Sequence, residues 1–408
     1  MSEFIAKNKL ILSFLTLNIT NGTAGGLLQI TVPLYAMSLN ATTAQIGMIR
    51  GVAGLGFLLL VIPAGFLVDH YGAKKLFLIG SLTVTLTTFA LVLAKTPALV
   101  AVLMGAQGFF RSLRMTAMNS SFFGNLKTMG LEKAGWFKGS LSIGFTFLGP
   151  LLGGYLAKST PFPLIFELVV LITLLPTALV FFFHKDSVAP SEVPLRETIK
   201  AQLHDFNLLL RRRTLYLPLL SECMGASFMS AFSTFTIVIV VRTLNLAPTA
   251  ASSLLTLEGA LFILTVFTAG PLIRRISINR LYLCSFFIIS LGAIMLALAG
   301  TLFMLALAAV VVGFGLGFNN LATYSQLGLQ EGDKGKVVGL FSAATGVGIS
   351  LGPLLGGVVG HYVGTQLMFI FFVPLIALLS LMTLPGQTGA AAADLPEKAG
   401  EAGFNVVE

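Results

Sequence analysis

Apolar residues run along this chain in long, nearly unbroken stretches, without the alternation of a strand or the one-sided stripe of a soluble helix. A helix needs about 20 such residues to cross a hydrocarbon core of about 30 Å. That length is met twelve times, near residues 10–37, 44–67, 76–94, 97–121, 135–157 and 162–183, and again near 214–241, 249–273, 281–299, 301–327, 337–360 and 366–384. Several stretches contain Gly or Pro, which membrane helices tolerate where neighbours satisfy the freed backbone groups. The first stretch follows Lys7 and Lys9 and is longer than the roughly 7 to 15 residues of a signal-peptide core. It is read as a retained first span.

The longest polar interruption, His184 to Arg213, separates six stretches from six. Within it, Leu195, Ile199, Leu203 and Phe206 recur at helical spacing and predict a surface helix over Pro194 to Leu210. The expected organisation is therefore a six-helix bundle over residues 1–183, a connector over 184–213, a second bundle over 214–384 and a disordered tail over 385–408. The tail is rich in Ala, Gly and Glu and has little to pack.

Basic residues set the orientation. With both termini in the cytoplasm, the inner segments hold nineteen Lys and Arg, and the outer segments hold only Lys95, Lys158 and Arg242. Arg50, Arg111 and Arg114 fall inside stretches. An excess of basic residues on one side marks that side as cytoplasmic. A cysteine placed at Ser191 should accordingly resist a membrane-impermeant thiol reagent applied to intact cells and react once the membrane is opened; labelling from outside would reverse the orientation.

Composition agrees with a lipid exterior. Of the 408 residues 56% are hydrophobic and 10% charged, against about 25% charged in soluble domains, so no polar surface is available to cover a soluble core. The net charge of +9 is spread over short tracts between apolar stretches, which excludes a nucleic-acid face. Cys223 and Cys284 both lie in apolar stretches, and no disulfide framework, metal site or cofactor is indicated. No nucleophile, acid–base or phosphate-loop constellation stands out, so neither an enzyme nor an ATP-driven pump is expected.

The halves repeat each other. Gly149-Pro150-Leu151-Leu152-Gly153-Gly154 recurs 203 residues later as Gly352-Pro353-Leu354-Leu355-Gly356-Gly357, and Lys133 with Lys336 keeps that offset. Ala64-Gly65 recurs 205 residues later as Ala269-Gly270. After the second stretch stands Gly65-Phe66-Leu67-Val68-Asp69-His70-Tyr71-Gly72-Ala73-Lys74-Lys75, whose glycines permit a tight turn between two helices. On these motifs and this duplication the chain resembles the major facilitator superfamily of secondary transporters, in particular its drug:proton antiporter branch, through Leu384. The resemblance implies an all-α membrane fold of twelve spans in two six-helix halves. It implies that Gly65, Asp69, Gly72, Lys74 and Lys75 form a latch between halves that favours the outward-facing state. His70 and Ala73 depart from that motif, where the family has Arg. The Gly144, Gly149, Pro150, Gly153, Gly154 element resembles the superfamily's antiporter motif, which goes with export in exchange for protons. With its copy at Gly352, Pro353, Gly356 and Gly357 it supplies small residues for close helix packing and a bendable contact between halves.

The fourth span lacks the arginine that many proton-coupled relatives carry three residues before a Gln-Gly pair: the pair is Gln107-Gly108, and Met104 stands at the arginine position. Arg111 lies seven residues after Met104, about 20° short of two turns, on the same helix face. A charge in a span costs roughly 2.5 to 3.5 kcal/mol on insertion scales, so each requires a partner, water or a function. The resemblance assigns spans one, four, seven and ten to a central cavity. Arg111 and Arg114, with Asn18, Asn21, Gln29, Asn319 and Asn320, are then the candidate substrate ligands, and Glu222 and Glu258 the candidate proton carriers, Glu222 first. Arg50 and Glu167 are expected to snorkel or gate, and Trp136 to anchor at the interface.

The expected function is secondary transport of a small organic molecule by alternating access, as proton-coupled export, by a monomer in the cell's inner or plasma membrane. The alternatives are an uptake carrier for an organic anion such as a carboxylate metabolite or siderophore, and a non-transporting receptor or lipid translocase on the same scaffold.

Overall fold

A computed structural model of the chain describes residues 2–129, 139–183, 212–270, 276–328 and 334–383. The connector up to residue 211, Trp136, Lys133 and the tail lie outside the described residues. Those residues form twelve α-helices and no strand: α1 Ser2–Ser38, α2 Thr43–Tyr71, α3 Ala73–Ala90, α4 Pro97–Met129, α5 Gly149–Ser159, α6 Phe162–Phe183, α7 Tyr216–Val238, α8 Pro248–Thr268, α9 Ile278–Leu298, α10 Leu302–Gly328, α11 Lys334–Val363 and α12 Phe372–Leu381. Nine helical runs among the described residues are long and apolar enough to cross a membrane. The other three are α1 and α4, which carry Asn18, Asn21, Arg111 and Arg114, and the shorter run Leu367–Leu381. Large apolar side chains such as Leu59, Leu86, Phe267, Phe287 and Phe303 point outward, as a lipid exterior requires.

Local sequence sets the helix ends. Thr42 and Gln45 close a reciprocal capping box on α2, satisfying two orphan backbone groups. Gly72, at φ 87°, is the single residue between α2 and α3, a conformation open to glycine at no steric cost. Gly65 is not part of that turn; it lies inside α2, because the helix continues to Tyr71. The fifth stretch contains a π-helical segment, Ile143–Leu148, immediately before Gly149-Pro150. Pro150 has no N–H to donate, and a widened turn accommodates that loss.

Two ends of the bundle differ. At the end bearing the loops around residues 39–42, 94–96, 243–247, 299–301 and 364–366, hydrogen bonds tie loops and helix ends together. Tyr35 donates to the Ala94 carbonyl, Arg242 to the Ala41 carbonyl at 2.7 Å, and Gln366 to the Ala299 carbonyl. The opposite end, bearing Gly72 and the start of α1, is open beside Gly65, where a Cβ would meet nothing within 4 Å.

The interface between α2 and α11 shows why. Glycines at 47, 51 and 54 let the two backbones touch. A Cβ on Gly47 would lie 2.3 Å from the Pro353 carbonyl oxygen, one on Gly51 2.2 Å from the Leu354 side chain, and one on Gly54 2.7 Å from the Ser350 backbone. Ser350 donates to the Gly51 carbonyl at 2.9 Å. One turn further, Leu58 still meets Gly346. Gly65 lies eleven residues from Gly54, about 20° from the same face, yet a Cβ there would meet nothing within 4 Å. Asp69, exposed, lies about five full turns from Gly51 on that face. The two helices are interlocked at the loop end and apart at the Asp69 end.

The duplicated Gly-Pro element packs both within each half and between the halves. Gly144 and Gly149 abut Gly22 and Gly26 of α1; Gly348 and Gly352 abut Cys223 and Ser227 of α7. Only the last glycine of each copy reaches across. Gly154 faces Ser252 of α8, and Gly357 faces Gly47 of α2. Backbone-to-backbone contact of this kind needs both partners small.

Candidate functional site

The polar residues converge on the space between α1, α4 and α5 on one side and α7, α8 and α10 on the other. A small pocket is lined by Gln29, Phe145, Thr146, Pro150, Met229, Ser233, Leu255 and Glu258. Its walls therefore come from both sequence repeats. The π segment carries Phe145 and Thr146 toward the pocket, and Thr146 fits against Gly259, where a Cβ would collide with its methyl group. Glu258 is 4% exposed, and its Oε1 has no hydrogen-bond partner. It lies about 15 Å below the loop end, counting about 1.5 Å per residue from Pro248.

Glu222 occupies the same inner face of α7 as Met229 and Ser233, seven and eleven residues away and within about 20° of each. It accepts a hydrogen bond of 2.7 Å from Thr345 of α11. Beside it, Ser221 donates to Asn319 Oδ1 at 2.6 Å, and Asn319 donates back to the Ser221 carbonyl at 3.2 Å. Gly225 leaves the room for Asn319, whose amide nitrogen is 2.7 Å from where a Cβ would be. Asn319 thus ties α7 to α10, and Asn320 next to it is half-buried.

Arg111 lies at the level of Gly25, one of its guanidinium nitrogens 3.4 Å from where a Cβ on Gly25 would stand, and its guanidinium is 5.5 Å from the Phe145 ring centre. It forms no ion pair with either glutamate among the described residues. Arg114 starts against Gly80 of α3 and is 5% exposed, with one guanidinium nitrogen unpartnered, so it is packed inward rather than snorkelling. Arg50 also departs from expectation. Its Nε is buried without a partner, and it points away from the lipid-facing Met48, Leu55 and Leu59 of its own helix. Arg111 lies within electrostatic reach of both Arg50 and Arg114. The first six helices thus present three grouped positive charges, and α7 and α8 two carboxyls.

Of the remaining expected ligands, Gln29 lines the pocket. Asn18 and Asn21 are buried lower on α1, with Asn21 donating to the Met118 sulfur at 3.5 Å. Gln107 turns to α3, where it donates to Thr88 at 2.8 Å. Phe145, Thr345 and Arg50 were not foreseen as site residues; the glycines facing them, Gly25 for Phe145 and Gly346 beside Thr345, were the available signal. In the latch segment, Lys75 stacks on Tyr71 at 5.5 Å, and Lys74 borders a small pocket with Phe14, Phe77 and Ser121.

Comparison with known proteins identifies the family and the fold. The family description "Major Facilitator Superfamily" matches residues 14–241 and 223–406. An uncharacterized MFS-type transporter of Bacillus subtilis (strain 168), YfiS, is 24% identical over 375 residues, 87% of each chain. A second, MJ1560 of Methanocaldococcus jannaschii, is 23% identical over 353 residues, 85% of this chain and 90% of its own. The crystal structure of the nucleoside transporter NupG superposes with a TM-score of 0.74 at 15% identity, covering 91% of this chain and 97% of that one.

Proposed function

The chain belongs to the Major Facilitator Superfamily and is a multi-pass membrane transporter, not an enzyme; from that premise we propose that it carries a small organic molecule by alternating access, coupled to protons, as an exporter. The observation that carries this reading is the α2–α11 interface, closed over Gly47, Gly51 and Gly54 and open at Gly65. A pair of helices locked at one end and free at the other is one of two rocking states. With twelve spans and both termini in the cytoplasm, the locked end is the outer one, and the form described is inward-facing. In this state Asp69 is disengaged from α11, as a latch of the opposite state should be.

Proton coupling is assigned to Glu258 first and Glu222 second. The cost of a charge at Glu258 depends on how much water reaches it, so opening and closing the pocket changes how tightly a proton is held. Glu222 keeps its Thr345 hydrogen bond and lies nearer the open end. Export rests on the resemblance of the Gly149-Pro150 element to the antiporter motif.

The test is transport in proteoliposomes with an imposed pH gradient. Solute movement should follow the gradient and collapse with a protonophore; movement indifferent to both would replace coupled export by facilitated diffusion or uptake. Asp69→Asn should lower turnover about tenfold while the detergent-extracted yield stays near that of the parent, because the latch acts between states. Equal loss of yield and turnover would make Asp69 a structural group instead.

A further inference from the structure

The three arginines of the first half do not themselves release protons, and no protein group among the described residues neutralises them. Arg50, Arg111 and Arg114 make no ion pair there, and Nε of Arg50 and Nη1 of Arg114, both buried, lack even a hydrogen-bond acceptor. A single uncompensated charge in a span is already costly. Three grouped ones, repelling each other through Arg111, call for water or an anion during the cycle, and a bound anion supplies the countercharge that water does not. Guanidinium groups suit such a partner because their fixed fork matches oxygen pairs on phosphate or carboxylate.

Position narrows the partner. Arg50 lies about 11 Å and Arg111 about 21 Å below the loop end at about 1.5 Å per residue from Thr43 and Pro97, and two arginine side chains can span that interval. Arg111 rests on the Phe145 ring, and Phe145 also lines the pocket with Met229, Leu255 and Pro150. Glu258 also lines that pocket, and its buried carboxyl offers no positive partner to a second anionic end. A ligand that fits has a doubly charged head at the arginines and an uncharged, partly apolar arm at Phe145.

We infer that the transported molecule is an organic dianion, a phosphate or phosphonate monoester or a close dicarboxylate equivalent, held by Arg50 and Arg111 with its arm stacked toward Phe145, and with Arg114 reinforcing the positive field. This rests on the transporter reading and adds the substrate class to it.

The test uses the full chain in lipid nanodiscs and measures binding without transport. Phenyl phosphate should bind saturably and raise the thermal unfolding midpoint, whereas benzyl alcohol and phenyltrimethylammonium should not. Succinate in parallel tells a dicarboxylate site from a phosphate site, and phosphatidic acid in the disc tells a lipid head from a soluble ester. Either anion binding at the arginines supports the inference. Arg50→Gln and Arg111→Gln should each weaken binding about tenfold or more, the cost of one charged hydrogen-bonding group, with Arg→Lys recovering part of it. Both variants should melt, without ligand, no lower than the parent, since each removes a repelling charge. A structural role would lower that midpoint. Binding of only the neutral or cationic probe, or variants that melt lower yet bind unchanged, would overturn the inference. The alternating-access reading is scored separately, by thiol accessibility of Ser350→Cys without substrate. Loss of one reading therefore leaves the other measurable.

Discussion

Glu258→Gln should abolish accumulation driven by a pH gradient while leaving exchange of labelled for unlabelled substrate intact. Glutamine keeps the shape of the side chain and its seat in the pocket but cannot release a proton. With the membrane potential held at zero, one proton exchanged per cycle lets a gradient of one pH unit support a concentration ratio of about tenfold, since about 1.4 kcal/mol is a factor of ten. Without a titrating group that ratio falls to one. Glu222→Gln should have the smaller effect, because the Thr345 hydroxyl can hydrogen-bond to an amide oxygen as it does to the carboxylate. Vesicle uptake with the membrane potential clamped measures both. Full accumulation in each single variant and in the double variant would remove proton coupling from these carboxyls.

The number and placement of the helices were legible because spanning length is a property of hydrophobic runs alone. The twelve stretches correspond one to one with α1–α12, and the boundary differences, such as α4 extending to Met129 and α11 starting at Lys334, fall where polar residues continue a helix beyond the lipid. Rotation about each axis was not legible. In a soluble helix polarity marks the outer face, but here lipid and protein interior are both apolar. Arg50 was therefore expected to snorkel or gate, although the small residues beside it, Gly47, Gly51 and Gly54, lie on the face toward α11 and already fix where its helix packs. The same ambiguity hid the Gly-Pro element. Its glycines predict close packing but not against which helix, and only coordinates separate α1 and α7 from the neighbours across the seam. The charges were found because a charge in a span is rare, yet partnership was not. Arg111 and Glu222 both fall inside spans, and that says nothing about which side of a cavity a side chain occupies.

Adding a methyl group at one glycine should push the equilibrium between states one way, and adding it at another should push it the opposite way. At Gly47 a Cβ meets the Pro353 carbonyl oxygen at 2.3 Å and the Gly357 Cα at 2.7 Å, both backbone atoms that cannot rotate aside. Gly47→Ala can be accommodated only if α2 and α11 separate at the loop end. Overpacking costs of about 1 to 3 kcal/mol would lower the population of the closed form about 5- to 160-fold relative to the form open at that end. Gly65 meets nothing in the form described, so Gly65→Ala costs nothing here and penalises only the state in which the Asp69 end closes. The reporter is Ser350→Cys in a chain with Cys223 and Cys284 replaced, because Ser350 is fully buried against Gly51 while the loop end is shut. A membrane-impermeant thiol reagent applied from the loop side should label Ser350→Cys faster by that factor when Gly47→Ala is added. It should label more slowly than the parent when Gly65→Ala is added instead. Transport should fall in both, since either substitution disfavours one half of the cycle. Identical labelling in all three chains would mean that the α2–α11 seam does not open, and that the glycines serve only to pack a static interface.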